Sequence, residues 1–157
     1  MNVTIDADDA AWGAVADLEA LTRRAVAATV DRLGLRHESM EVSILFTDDT
    51  EMAALNRRWR GKDGPTNVLS FPADDAVLPA EGPRPIGDIV LAAETVAREC
   101  AEQLKSMSDH ATHLLVHGLL HLFGHDHRDD AEADAMEALE VEILSTLAIG
   151  NPYDRRQ

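Results

Sequence analysis

Short stretches in which apolar residues alternate with polar ones, or follow one another directly, recur four times along the chain. Residues 2–7 and 42–46 alternate in polarity, as a strand with one buried face does. Residues 68–71 and 86–91 are apolar runs with the length of a strand rather than of a helix. The pattern therefore predicts four β-strands.

Five longer segments are rich in helix-forming residues or repeat apolar residues at the three- and four-residue spacing of an α-helix. In the last segment, Met136, Leu139 and Ile143 form an apolar stripe, and Gly150 and Pro152 follow as stop signals. The predicted helices are a segment that begins near Leu18 and ends before Gly34, and the segments 49–59, 92–105, 108–123 and 130–147.

Residues 72–85 contain four prolines and are predicted to form a loop between the third and fourth strands. The strands and helices mix without strict alternation, and 157 residues are enough for one hydrophobic core. We therefore expect a single domain over residues 1–157, with a small mixed sheet and helices packed on it.

The chain is strongly acidic, with a formal net charge of -15 from 29 acidic and 14 basic residues. Such a chain repels polyanions on average, which counts against a nucleic-acid partner. The charge is uneven, however. Residues 57–62 include four basic residues and no acidic one, and they can grip a phosphate locally. Residues 126–142 include eight acidic residues and one basic residue, and we interpret them as a solvated helix face.

Features of secreted and membrane proteins are not found. Residues 1–9 are polar and acidic, unlike a signal peptide, and no apolar stretch approaches the roughly 20 residues that span a bilayer. A single cysteine, Cys100, excludes an internal disulfide. These features predict a cytoplasmic protein without a membrane partner.

Six of the seven histidines lie between positions 110 and 127. His117 and His121 are four residues apart, so that their imidazoles project from the same helix face. Gly124 can adopt the left-handed conformation that ends a helix, which lets the chain turn back and bring His127 to the same point. The spacing therefore predicts that these three histidines bind one metal ion.

Three neutral imidazoles with an open fourth position are typical of a catalytic zinc site, although nickel and copper accept the same ligands. The same spacing occurs in metzincin proteases, where a glutamate directly after the first histidine is the general base. Gly118 stands in that position here, which argues against a protease.

The spacing alone does not assign a role to two further residues of this region, His113 and Asp126. His113 stands four residues before His117, but this pair would leave no nearby turn to supply a third ligand. We therefore expect His113, like His110, to support the ligands or to pack beside them. Asp126 can orient a ligand imidazole through its second ring nitrogen, or it can be a solvated turn residue.

Three segments carry a family resemblance. They read LNRRWRGKDGPTNVLSFP at 55–72, GDIV at 87–90 and HGLLHLFGHDH at 117–127. In this order they resemble the characteristic stretches of the YbeY endoribonuclease family, and the likeness extends over most of residues 40–153. The family commonly has tyrosine at the position of His125, which is not a ligand position.

The resemblance implies an α+β fold, a small mixed four-stranded sheet packed with about five helices. It implies a metal-dependent, single-strand-specific endoribonuclease that acts in maturation of the 3′ end of small-subunit ribosomal RNA and in ribosome quality control. Its partners would be single-stranded precursor RNA and ribosomal particles or proteins. The family's metal ligands fall on His117, His121 and His127, and an arginine important for activity falls on Arg60.

The chemistry of RNA cleavage agrees in part with this implication. Negative charge develops at phosphorus, and a metal ion and a nearby guanidinium can stabilise it. Arg57, Arg58 and Lys62 remain alternatives to Arg60 for the second role.

Other residues in the same region are candidates for contacting the substrate. Asn67 and Ser70 can line the cleft or can simply be polar strand residues. Trp59 and Phe71 can stack on bases or can belong to the core. Two other functions stay open: a metallohydrolase of another substrate class, such as a peptide or a small phosphoester, and a non-enzymatic ribosome-associated factor with a structural metal.

Overall fold

A four-stranded mixed sheet forms the centre of the computed structural model, which describes residues 1–74 and 81–154. The spatial order of the strands is β1-β2-β4-β3, where β1, β2 and β4 are parallel and β3 is antiparallel to β4. The predicted mixed sheet is confirmed, and each predicted strand lies within an observed one. The strands are β1 (Asn2–Ala7), β2 (Met40–Thr47), β3 (Val68–Pro72) and β4 (Arg84–Ala92).

Six helices lie in the described ranges, one more than predicted. The additional helix, α1, is a single turn in which Asp8 accepts hydrogen bonds from the backbone N–H groups of Ala10 and Ala11. One turn is too short to show a hydrophobic period, which is why the pattern missed it. The helices are α1 (Asp9–Trp12), α2 (Leu18–Arg32), α3 (Asp49–Arg60), α4 (Ala93–Gln103), α5 (Met107–Leu122) and α6 (Asp130–Thr146).

The predicted loop 72–85 is shorter in the structure, because β3 includes Pro72 and β4 already begins at Arg84. Part of that prediction, residues 75–80, lies outside the described residues. No helix of the described ranges has the length and apolar character that a membrane span requires.

Helix α5 is the central helix of the fold. Ten of its sixteen residues are buried, because it packs on β3 and β4 and is also covered by α2, α4 and α6. A helix that is apolar on most sides belongs inside a protein. Its last turn is only half-buried, and this turn carries the histidines that the sequence singled out.

Helix α3 is held at both ends. At its start, the side chain of Asp48 caps the helix by accepting a hydrogen bond from the backbone N–H of Glu51 at 2.8 Å. Asp49 accepts hydrogen bonds from the backbone N–H and the hydroxyl of Thr95, at 3.0 and 2.8 Å, and so ties α3 to the first turn of α4. Gly61 ends the helix with a left-handed φ of 63°. These contacts fix the position of Arg60, the last residue of α3.

Gly87 permits a close approach between the strands and α5. Its φ is 140°, and a Cβ atom there would lie 2.3 Å from the carbonyl oxygen of Phe71 and 2.8 Å from the side chain of Leu122. The first contact is with backbone, which cannot move aside cheaply. Glycine is therefore required at this position by both conformation and space.

We expect Gly87→Ala to lower the free energy of unfolding by at least about 2 kcal/mol, because overpacking and backbone strain act together. Urea denaturation followed by circular dichroism measures this change. The matched control is Gly150→Ala, where a Cβ atom would meet no atom within 4 Å. Equal unfolding midpoints for the two variants would contradict the role assigned to Gly87.

Candidate active site

Three imidazoles converge at the end of α5. Ligand nitrogens of His117, His121 and His127 all lie within 4.8 Å of one another, and the Nε2 atoms of His117 and His121 are 3.0 Å apart. Gly124 has the predicted left-handed conformation, with φ 94°, and it turns the chain so that His127 returns to the other two. Within the described ranges, no other set of three histidine, cysteine or carboxylate side chains converges in this way.

A buried carboxylate stands behind His117. Oε1 of Glu140 lies 2.6 Å from His117 Nδ1 and 3.5 Å from His113 Nε2, and its other oxygen accepts a hydrogen bond from the hydroxyl of Tyr153. Glu140 lies in α6, and its residue exposure is 0%. Burial by itself would raise the pKa of Glu140, but the hydrogen bonds from His113, His117 and Tyr153 outweigh burial and lower the pKa to about 2.

This carboxylate determines the tautomer of His117. An ionised Glu140 accepts the proton carried by Nδ1, so that Nε2 is left with a free lone pair that faces the other imidazoles. Burial, together with the neighbouring His117 and His127, lowers the pKa of His121 and favours its neutral form. Both effects prepare nitrogen lone pairs at the point where the three rings meet.

The interpretation of residues 126–142 as a solvated face is wrong at Glu140. The other acidic residues of this run are exposed or half-buried, whereas Glu140 is fully buried. One signal in the sequence could have shown this. Glu140 lies four residues after Met136 and three before Ile143, and therefore on the apolar stripe of α6.

Asp126 occupies the position of a turn residue. Its Oδ1 accepts a hydrogen bond from the backbone N–H of His127 at 2.8 Å, and its Oδ2 lies 3.4 Å from Arg128 Nε. Among the described residues, no hydrogen bond joins Asp126 to an imidazole. The geometry thus favours the second of its two predicted roles, and Glu140 orients the imidazole instead.

His113 and His110 lie beside the converging histidines rather than among them. The ring of His113 packs edge-on against Tyr153, with 5.4 Å between ring centroids, and its Nε2 lies 3.3 Å from the tyrosine hydroxyl. His110 Nε2 lies 2.9 Å from the carboxylate of Glu99, and burial lowers the pKa of this histidine. Both positions fit the expected supporting roles.

The converging histidines form one wall of a cleft of about 690 Å³ that Arg60 enters from the end of α3. Of the four cations in 57–62, Arg60 alone lines this cleft. Among the described residues, no hydrogen bond or ion pair engages its guanidinium, so it is available to an anion. Asp126 supplies the one carboxylate among the described residues that line the cleft.

Asn67 and Ser70 also line the cleft, but structural hydrogen bonds occupy both. The Asn67 amide donates to Glu99 at 3.0 Å and accepts from the backbone N–H of Val68 at 2.7 Å. The Ser70 hydroxyl donates to the carbonyl of Gly118 at 3.1 Å, which attaches α5 to β3.

Gly118 is pressed against the sheet. A Cβ atom at this position would lie 3.0 Å from Ser70 Oγ and 3.1 Å from Ile89 Cγ2. A side chain at this position would therefore point into the core and would have to displace Ser70 and Ile89. Packing thus disfavours a glutamate after His117.

Comparison with known proteins gives one consistent family. The family model for endoribonuclease YbeY matches residues 4–148. A protein of that name from Chelativorans is 56% identical over 142 residues, covering 90% of this chain and 86% of the relative. Another, from Bartonella bacilliformis, is 50% identical over 154 residues, covering 98% and 96%.

A solution structure of a Thermotoga maritima protein has a TM-score of 0.59 at 20% identity, covering 97% of this chain and 95% of that one. At this identity the likeness concerns the fold alone. The family model, by contrast, covers residues 4–148, and the two relatives are at least 50% identical over 90% or more of the chain. The chain belongs to the YbeY endoribonuclease family.

Proposed function

We propose that this protein is a metal-dependent endoribonuclease that cuts single-stranded RNA. It would act in maturation of the 3′ end of small-subunit ribosomal RNA and in ribosome quality control. The observation that carries the proposal is that three converging imidazoles and the free guanidinium of Arg60 face one cleft, in a member of a family named for RNA cleavage.

The proposed cofactor is one divalent ion, with zinc as the first choice, held by His117, His121 and His127. The donor set fits such an ion, because it consists of three imidazoles and Glu140 already orients the first of them. Nickel and copper accept the same ligands. When bound, the ion supplies Lewis acidity, which polarises a phosphoryl oxygen and acidifies water.

Arg60 is the proposed phosphate-binding residue. A guanidinium can bind two oxygens of a phosphate at once, and it keeps its charge at any working pH. Its place opposite the histidines lets it hold the scissile phosphate and offset the negative charge that develops during cleavage. Asn67 and Ser70 are proposed as cleft walls that position the substrate.

RNA is preferred over peptide as the substrate because of Gly118. The glutamate that activates water in metzincins is absent there, and the close contacts of Gly118 with Ser70 and Ile89 disfavour it. The charge of -15 predicts weak non-specific RNA binding, and we propose that ribosomal particles or proteins supply part of the affinity. The proposed location is the cytoplasm, where a buried, free Cys100 stays reduced.

We expect His117→Ala, His121→Ala and His127→Ala each to lose stoichiometric metal, because each removes one of three ligands. Glu140→Gln keeps the shape of the site but removes the negative charge behind His117, and it should weaken metal binding by roughly 10- to 100-fold. Elemental analysis and competition with a chromogenic chelator measure both effects. His125→Ala is the control from the same turn, and full occupancy in any of the three alanine variants would remove that residue from the site.

Metal affinity should decrease as the pH is lowered, because protonated imidazoles do not bind a metal ion. A free imidazole has a pKa of about 6.5, so the affinity should be full well above this pH and should decline as the pH falls through it. Because the pKa of His121 is lowered, this ligand becomes protonated, and stops binding the metal, only at a lower pH. Chelator competition from pH 8 to pH 5 follows this change, and an affinity independent of pH would contradict imidazole ligation.

The RNA proposal is tested with metal-loaded protein, labelled single-stranded RNA, the matching duplex and casein. We expect cleavage of the single strand alone, faster on precursor ribosomal particles, and no cleavage by His117→Ala, which also controls for contaminating ribonucleases. Casein cleavage that depends on His117, without any RNA cleavage, would establish a protease instead.

We expect Arg60→Ala to keep fold and metal but to lower kcat by about 100-fold or more, since a charge contact to the transition state is removed. Arg60→Lys should restore little if the contact is bidentate. The matched control is Arg24→Ala, because Arg24 is an exposed cation of α2 that does not line the cleft. Normal turnover by Arg60→Ala would show that Arg60 takes no part in catalysis.

A further inference from the structure

Trp59, one residue before Arg60, is the most exposed aromatic side chain in the described part of the molecule. It is 61% exposed, although a tryptophan has much apolar surface to bury. The guanidinium of Arg58 lies 5.1 Å from the centre of its ring. The sequence left both Trp59 and Phe71 as stacking residues or core residues. Phe71 is partly buried against the small cluster of Met52, Leu69, Val90 and Ala92, so Trp59 is the more exposed of the two.

The cations around Trp59 lack acidic partners. Arg57, Arg58 and Lys62 are exposed, and no ion pair joins them to any described residue. Elsewhere the abundant carboxylates pair with exposed arginines, as in five cases: Arg23, Arg32, Arg36, Arg98 and Arg128. In a chain with net charge -15, three neighbouring exposed cations that no ion pair engages form a local site for an anion, although Asp63 follows Lys62 in the chain.

Trp59 borders a different surface from Arg60. Arg60 lines the cleft of the histidines, whereas Trp59 lines a groove of about 450 Å³ whose apolar wall includes Leu55 and Phe71. The same groove is also lined by Asp6, Glu51 and Asp88. These carboxylates repel phosphates, so the groove favours an uncharged group over a phosphate.

We infer that Trp59 is a stacking platform for an unpaired base of the RNA strand next to the scissile phosphate, with Arg57, Arg58 and Lys62 holding the adjacent backbone. The inference rests on the proposed function and extends it to a second contact site. Aromatic stacking accepts any base but needs one that is free of a duplex. Trp59 thereby accounts for preference for single strands without sequence recognition.

Binding is measured apart from cleavage by titrating metal-depleted protein with a single-stranded RNA decamer and with its duplex. Tryptophan fluorescence reports on Trp59, because the second of the two tryptophans, Trp12, is 1% exposed and lies in the core. We expect the single strand to quench the emission strongly and the duplex to quench it weakly.

Substitutions separate stacking from simple apolar contact. Trp59→Ala should weaken single-strand binding by roughly 5- to 100-fold, Trp59→Phe should retain most of the affinity, and Trp59→Leu should behave like alanine. Lys62→Ala should lower the slope of log affinity against log salt by about 0.7, which corresponds to one lost phosphate contact. Leu104→Ala removes another exposed apolar side chain, 77% exposed, and should change nothing.

The outcomes distinguish this inference from the proposed function. One outcome would support the platform and refute the nuclease. In it, RNA quenches the fluorescence of the native protein and Trp59→Ala loses RNA binding, but the metal-loaded native protein cleaves no RNA. Cleavage of single strands with unchanged KM and affinity in Trp59→Ala would refute the platform alone. A third outcome would replace the platform by a protein-docking surface. In it, Trp59→Leu and Trp59→Phe both bind RNA normally, but neither sediments with ribosomal particles.

Discussion

A carboxylate with no access to solvent must find hydrogen-bond donors for both of its oxygens, and Glu140 finds them on two other parts of the chain. His117 and His113 come from α5, and Tyr153 comes from the segment after α6. Removing one partner of a buried charge typically costs about 3–5 kcal/mol. The same contacts that satisfy this charge hold α6 and the Tyr153 segment against α5, and they orient His117 toward the other two imidazoles.

The position of α5 explains why the site is rigid on one side and open on the other. Its middle is buried against the sheet, and the close contacts at Gly87 and Gly118 leave no space for the helix to shift. Its last turn reaches the surface, where Gly124 reverses the chain and returns His127. Two of the converging histidines thus stand on a fixed helix, and the third stands on the turn that follows the helix.

Charge is distributed so that an acidic protein can still face an anionic substrate. Carboxylates cover much of the surface and pair with five exposed arginines, whereas within the described residues the cations at the end of α3 have no ion-pair partner. This end is held by the contacts of Asp48 and Asp49 at the start of the helix and by Gly61 after it. A local cationic surface within a repulsive field favours a substrate that arrives in one orientation over non-specific binding.

Much of the fold followed from local patterns, because alternation and helical spacing report directly on which faces are buried. The four strands and five of the six helices were predicted within a few residues, and α1 was missed because one turn has no period. The convergence of His117, His121 and His127 was also predictable, since i, i+4 spacing and a glycine turn are local properties of the chain.

The sequence by itself determined which residues could meet within one helix and its following turn, and the tertiary structure alone decided what stands opposite them. Glu140 and Tyr153 reach the histidines across 23 and 40 residues, and Arg60 enters the cleft from another helix. Trp59 and Arg60 are adjacent in sequence, but they line different surfaces. A spacing pattern records the geometry of one element, whereas the partner of a buried charge or a free cation depends on how separate elements pack.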